Sequence, residues 1–393
     1  MPVTGGPRRP LTRMAQGPQR ADLLELFFDL AFIASLTLTS QKMAAEQTWT
    51  GIGQALLALS TLWAVWVTTT LITDTYSPRN RPIPYLILGI MFGVMLMSAA
   101  LPTAFRDHGL IFGGTWAAIN LGRGLVLIRS LRRRQGQERS LRALVWNLVS
   151  GTLWVVGGLV ADPGWRLVVW LAALAVDYIA FGFRFPIPGR APLPQYQVAP
   201  EHLAERYQQI YILTLGELVL VSVLSLSHQP FTPGRIGAFG IAFLTAVVLW
   251  WSYAQGAGAT LRDAIEASPH RSRLVQTNPY AHWLMVVGVV STAAGIERII
   301  AQPGERPGAP MTALILGGAG LFLFGRAVLE HEVYGRVPLS HVIGVVAAIA
   351  LAPPAAHLAG LALGVAVALV LLAVAAAEFV RARHRPAPAP ATP

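Results

Sequence analysis

The stretch Leu23-Leu24-Glu25-Leu26-Phe27-Phe28-Asp29-Leu30-Ala31-Phe32-Ile33-Ala34-Ser35-Leu36-Thr37-Leu38-Thr39-Ser40 decides the fold. It is apolar over nearly the length a spanning helix needs, yet it holds two acids four residues apart, on one helical face. Outward from it, the whole chain has the same character. Of 393 residues, 54% are hydrophobic and only 12% are charged, against about 25% charged in a soluble domain. A soluble protein must wet its outside, and this chain has too few polar residues to do so. The surplus apolar surface faces lipid. In lipid a chain must satisfy its own backbone, so the fold class is an all-α polytopic membrane bundle.

Twelve apolar segments of about the spanning length follow one another. They are read at 23–40, 52–73, 84–105, 109–128, 143–161, 165–182, 208–227, 236–256, 281–300, 311–329, 339–355 and 358–380. Asp162-Pro163-Gly164 makes a tight turn between the fifth and sixth, and Pro353-Pro354 divides the last two, which leaves ten or eleven spans as the alternative count. If the N-terminus is cytoplasmic, the inside segments hold 22 basic residues and the outside segments six, Lys42, Arg106, Arg166, Arg235, Arg298 and Arg306. Arg123 and Arg326 fall inside helices. This asymmetry predicts a membrane protein with both termini cytoplasmic, and the use of arginine nearly throughout, with Lys42 the one lysine, suggests a GC-rich bacterial genome and hence a bacterial plasma membrane.

The net charge of +11 is therefore an orientation signal, and nucleic acid is not an expected partner. The first apolar stretch holds Glu25 and Asp29 and no small-residue cleavage site, which argues against a removed signal peptide. The absence of cysteine excludes disulfides and thiolate metal sites. Metalloprotease, phosphate-loop and nucleophile-elbow motifs are missing, so no catalytic residues, metal or cofactor are expected, and the chain does not read as an enzyme.

The order of motifs suggests a duplication. Glu25 opens the first segment and Glu205 the seventh. Trp63 and Trp66 in the second answer Trp250 and Trp251 in the eighth. Pro84-Tyr85 answers Pro279-Tyr280, and Gly122-Arg123 answers Gly325-Arg326. The expected organisation is a disordered basic N-terminus (1–22), a six-helix half (23–183), a Pro-rich cytoplasmic linker (184–201), a second six-helix half (202–380) and a disordered tail (381–393). An even number of spans per half makes the repeat parallel, with an axis along the membrane normal.

Charged residues at hydrocarbon depth are costly and tend to mark function. Asp29 lies about two turns into the first helix and Glu217 about a dozen residues into the seventh. Glu25 sits nearer the interface, where it also supports the helix start. Arg123 and Arg326 require carboxylate partners, and the duplication suggests Arg123 with Asp29 and Arg326 with Glu217. These five are the candidate residues of a substrate or ion pathway. Trp63, Trp66, Trp250 and Trp251 are candidate pore-lining, packing or interface-belt residues. His202 and Glu205 stand at i, i+3, too few for a metal site, and read as interface anchors. His282 reads as hydrogen-bonded filler, and Asp177 lies where cytoplasmic water reaches.

Glu25-Leu-Phe-Phe-Asp29-Leu-Ala-Phe32, the Trp63/Trp66 segment, and His202-Leu-Ala-Glu205-Arg-Tyr followed by Leu215-Gly216-Glu217 resemble the bacterial low-temperature-requirement A (LtrA) family. The likeness runs from about Leu23 to His331, and implies the membrane topology and a family named for a growth phenotype. Phe28-Asp29-Leu-Ala-Phe32-Ile-Ala is also similar to the Phe-Ser-Asp motif of a lysosomal and bacterial potassium-channel family. Phe28 and Asp29 match two of its three positions. Gln208 and Gln209 stand in the second half, so the motif is not duplicated.

The leading expectation is a gradient-driven transporter or permeability protein with Asp29 and Glu217 beside the axis between halves. The alternatives are a passive cation channel and a non-transporting membrane stress or scaffold protein. The expected partners are the lipid bilayer and a small solute or ion.

Overall fold

The computed structural model describes residues 22–76, 82–131, 135–193, 199–255, 261–263 and 271–384. The N-terminal segment and tail expected to be disordered, and the centre of the Pro-rich linker, lie outside these residues apart from Asp22, Arg381–His384 and the linker's flanks. The described chain is helical throughout, with no strand among its elements.

The helices are α1 Leu23–Ala45, α2 Trp49–Thr75, α3 Pro82–Ala100, α4 Gly109–Ser130, α5 Gln135–Leu159, α6 Pro163–Gly182, α7 Pro200–Ser227, α8 Pro233–Gln255, α9 Arg271–Ala301, α10 Ala309–Tyr334, α11 Leu339–Ala350 and α12 Gly360–His384. A 3-10 turn follows α3, and a single helical turn, Ala352–Ala355, follows α11. Among the described residues ten helices are long and apolar enough to cross a membrane: α1–α4, α6–α10 and α12. Bulky apolar side chains such as Tyr85, Phe92, Leu159, Phe183 and Ile349 stand on the outer surface, as a lipid-facing wall requires.

Local chemistry sets the helix ends. Asp22 caps α1 and Glu25 returns the bond to the Asp22 amide at 2.8 Å, a reciprocal capping box. Thr48 caps α2 through the Gly51 amide at 3.0 Å. Asp162 caps α6 with Pro163 in its first turn, where a missing N–H costs nothing. Gly335, at φ 68°, closes α10 in the left-handed conformation glycine tolerates.

Three segments differ from expectation. Helix α5, over the expected span 143–161, is not among the ten, its sequence being more polar from Gln135 to Asn147. The segment 339–355 holds a 12-residue helix, about 18 Å long against a hydrocarbon core of about 30 Å. Pro353 and Pro354 let only one further turn form before α12 begins. Helix α9 runs straight through Pro279, which the sequence reading took as a helix start. Hydropathy marks the lipid-immersed stretch, whereas the helix continues beyond it. Lys42 and Arg166, expected in outer loops, are buried. Lys42 pairs with Glu46 at 2.9 Å, and Arg166 donates to the carbonyls of Gly157, Val160, Ala104 and Arg106.

Helix neighbours repeat. In α1–α6, α1 packs on α2 and α3, α3 on α4, α4 on α5, α5 on α6, and α6 returns to α2. In α7–α12, α7 packs on α8 and α9, α9 on α10, α10 on α11, α11 on α12, and α12 returns to α8. The two sets meet where α1 and α2 contact α7 and α9. Helices α9 and α10 approach closely at Gly288 and Gly318. A Cβ on Gly288 would fall 2.6 Å from the Phe322 nitrogen and 2.7 Å from the Gly318 oxygen. Without a hydrophobic force between helices in lipid, such backbone proximity supplies the packing energy.

Candidate functional site

Helices α1 and α7 meet at a fixed sequence offset. Glu25 contacts His202, Asp29 contacts Arg206 and Ser40 contacts Glu217, each pair 177 residues apart. A constant offset over four turns means the two helices run in the same direction, side by side.

The first step of this seam is a carboxylate–imidazole–carboxylate chain. His202 Nε2 lies 3.0 and 2.9 Å from the two Glu25 oxygens, and Nδ1 lies 3.0 Å from Asp74 Oδ1 on α2. Both ring nitrogens face carboxylates. Asp74 also accepts the Ala199 amide at 3.1 Å, capping α7, whose own N-cap residue offers no side chain. One imidazole thus ties three helix ends together.

One turn deeper, Arg206 grips Asp29 in a two-pronged pair, Nη1 to Oδ2 at 2.6 Å and Nη2 to Oδ1 at 2.7 Å. Trp66 Nε1 donates to Asp29 Oδ1 at 2.9 Å. The guanidinium lies 5.6 Å from the centroid of the same indole. Asp29 and Arg206 are buried, and Trp66 stacks on Trp63 at 4.9 Å.

Deeper still, Glu217 is fully buried and meets hydroxyls only. Ser40 Oγ donates to its Oε1 at 2.7 Å and Thr37 Oγ1 to its Oε2. Each hydroxyl has one proton and a second acceptor in reach, Ile33 O at 3.2 Å for Thr37 and Thr37 O at 3.0 Å for Ser40. The pair can therefore serve either the carboxylate or the backbone of α1.

On the far side of Trp63 lies a cavity of about 60 Å³. Its walls come from α2 (Trp63, Thr68), α4 (Trp116, Asn120, Arg123), α5 (Asn147), α6 (Asp177, Tyr178, Phe181) and α9 (Pro279, Tyr280). Trp63 Nε1 donates to Pro279 O at 3.1 Å, a bond from α2 to the proline-bearing turn of α9.

The family model described as "Bacterial low temperature requirement A protein (LtrA)" matches residues 20–376. The chain belongs to the LtrA family. An uncharacterized protein of Rhizobium meliloti (strain 1021) is 31% identical over 333 residues, covering 83% of this chain and 81% of its own. No solved structure matches.

Within this LtrA protein the expected pairings are not the ones formed. Asp29 takes Arg206 in place of Arg123, because α3 stands between α1 and α4 whereas α7 lies directly against α1. Arg123 donates to Thr68 and Asn120. Arg326 binds Glu330 at 3.1 Å, with Glu378 at 3.9 Å, instead of Glu217. His202 is buried in the seam and anchors no interface, while Glu205, half-buried, accepts from Gln209 at 3.3 Å. Trp63 and Trp66 are core residues, whereas Trp250 and Trp251, 44% and 36% exposed, face outward. His282 is hydrogen-bonded filler between Tyr253 (3.1 Å) and Asn278 O (3.2 Å).

Asp74 and Arg206 are the charged site residues that sequence reasoning missed, along with the hydroxyls of Thr37 and Ser40 and the amide of Asn147. Arg206 was counted with the loop arginines. Its one signal was its position beside Glu205, four residues after His202 and so on the same helical face. Among the described residues no group of three or more His, Cys, Asp or Glu side chains could hold a metal ion.

Proposed function

We propose that this LtrA protein is a gradient-driven transporter or permeability protein whose coupling group is Glu217. The observation that carries this reading is the setting of that carboxyl. It lies in the seam between α1 and α7, fully buried, and its hydrogen bonds come from Thr37 and Ser40, whose hydroxyls each have an alternative acceptor. Such a group takes up and releases a proton without breaking an ion pair, and intramembrane carboxyls of this kind serve as relays. Glu25, His202 and Asp74 continue the seam toward the α7 N-terminus. Arg123 and Arg326 hold their own helices' polar surroundings and stand apart from Glu217. The recurrent helix neighbours support treating 23–183 and 202–380 as two parallel halves that rock about the α1–α7 contact.

Proteoliposomes loaded with a pH-sensitive dye test the assignment. A proton flux that depends on an imposed gradient, lost in Glu217→Gln, is the expected result. Wild-type flux in Glu217→Gln would sink it. The closed Asp29–Arg206–Trp66 cluster favours a second reading, a scaffold whose charges only lock the halves together. That reading requires no flux from the wild-type protein either.

A further inference from the structure

We infer that the cavity behind Trp63 is a binding site for a small zwitterionic amino acid. The wall carries both signs of charge. Arg123 on α4 and Asp177 on α6 line the same space, within electrostatic reach of each other. A lone anion there would face Asp177 and a lone cation would face Arg123. A ligand that bears both charges satisfies both walls.

Asn147 supplies the second observation. It is 7% exposed, lines the cavity, and makes no hydrogen bond among the described residues. Buried amides are almost always partnered, so one aimed into a cavity is waiting for something that enters. Its amide offers a donor and an acceptor together, which suits a carboxylate beside an ammonium. Trp63, Trp116, Tyr178 and Tyr280 add π faces for the ammonium end.

The backbone next to the cavity is strained in the same service. Arg184 and Phe185 follow α6 with φ 57° and 55°, a region that bulky side chains avoid. This turn sets Phe185 onto the cavity wall. The size limits the ligand. A space of about 60 Å³ holds about four or five waters, so a guest of about six non-hydrogen atoms fits and a large side chain does not. As cargo, the amino acid rests on the transport reading above; as a bound ligand it does not.

Equilibrium binding of radiolabelled L-alanine to the purified full-length protein in detergent, with no gradient present, is the test. Saturable binding is expected, displaced by glycine and resistant to a tenfold excess of acetate or methylammonium. Asn147→Leu and Asp177→Asn should each weaken it at least tenfold, with thermal melting used to confirm that each variant is folded. No saturable binding to the wild type would overturn the proposal. So would displacement by acetate or methylammonium alone, or unchanged binding in both variants. Binding without flux would overturn transport and leave the site standing.

Discussion

Asp29 and Arg206 form a two-pronged ion pair, 2.6 and 2.7 Å, between two helices that run in the same direction 177 residues apart. The pair is buried and Trp66 completes it from a third helix. Removing one partner of such a pair strands the other charge, which costs about 3–5 kcal/mol. Arg206→Leu should therefore destabilise the detergent-solubilised protein by about that amount. The double variant Asp29→Leu/Arg206→Leu should recover most of it. Thermal melts of the three proteins check this, and a double variant no better than the single one would contradict it.

Trp66→Phe separates packing from hydrogen bonding. The ring keeps much of its stacking on Trp63, while Asp29 loses one donor. A hydrogen bond to a charged group is worth about 1.5–3 kcal/mol. The melting temperature should fall, and the fall should vanish once Asp29 and Arg206 have both been replaced by leucine.

Glu217→Gln should behave in the opposite way. The oxygen of glutamine accepts from one of the two hydroxyls of Thr37 and Ser40 and its NH2 donates to the other, so stability should change by less than about 1 kcal/mol. Flux should nevertheless be lost, since an amide cannot carry the proton. A variant that melts like the wild type and transports like it removes Glu217 from the mechanism.

Gly288→Leu should force α9 from α10, because even a Cβ would meet the Phe322 backbone at 2.6 Å. Overpacking of this sort costs about 1–3 kcal/mol or more. Gly317→Ala, on the same α10 but with open space around it, should stay within about 0.5 kcal/mol of wild type. Paired denaturation curves in one detergent decide the matter.

His202→Leu should loosen three elements at once, since Glu25, Asp74 and the start of α7 all depend on that ring. Faster amide exchange is expected at residues 199–203 and 22–26 together. Exchange confined to α7 would show that the imidazole is not the shared tie.

Hydropathy made the spans legible, because burial in lipid leaves a run of about 20 apolar residues that nothing else explains. It also flagged Glu25, Asp29, Glu217, Arg123 and Arg326, since each interrupts such a run. Their partners were not legible. Arg206 looks like any basic residue flanking a span, and only the apposition of α1 and α7 turns it inward. Asp74 closes an apolar run and resembles a helix end until His202 is brought to it. Asp177 was assigned to water near the cytoplasmic end. Its place on a cavity wall depends on α2, α4 and α9 arriving from elsewhere in the chain. The broken segment after Pro338 was visible as Pro353-Pro354, but the shortness of α11 was not, because composition does not report length of helix.

The seam between α1 and α7 carries its acids one turn apart, at Glu25 and Asp29, and its bases one turn apart, at His202 and Arg206. That matching pitch makes the ladder degenerate. A slip of one turn, about 5.4 Å, would bring Arg206 opposite Glu25, or His202 opposite Asp29, and still oppose unlike charges. Only the observed register, however, engages both rungs, since either slip leaves one acid and one base without a counterpart.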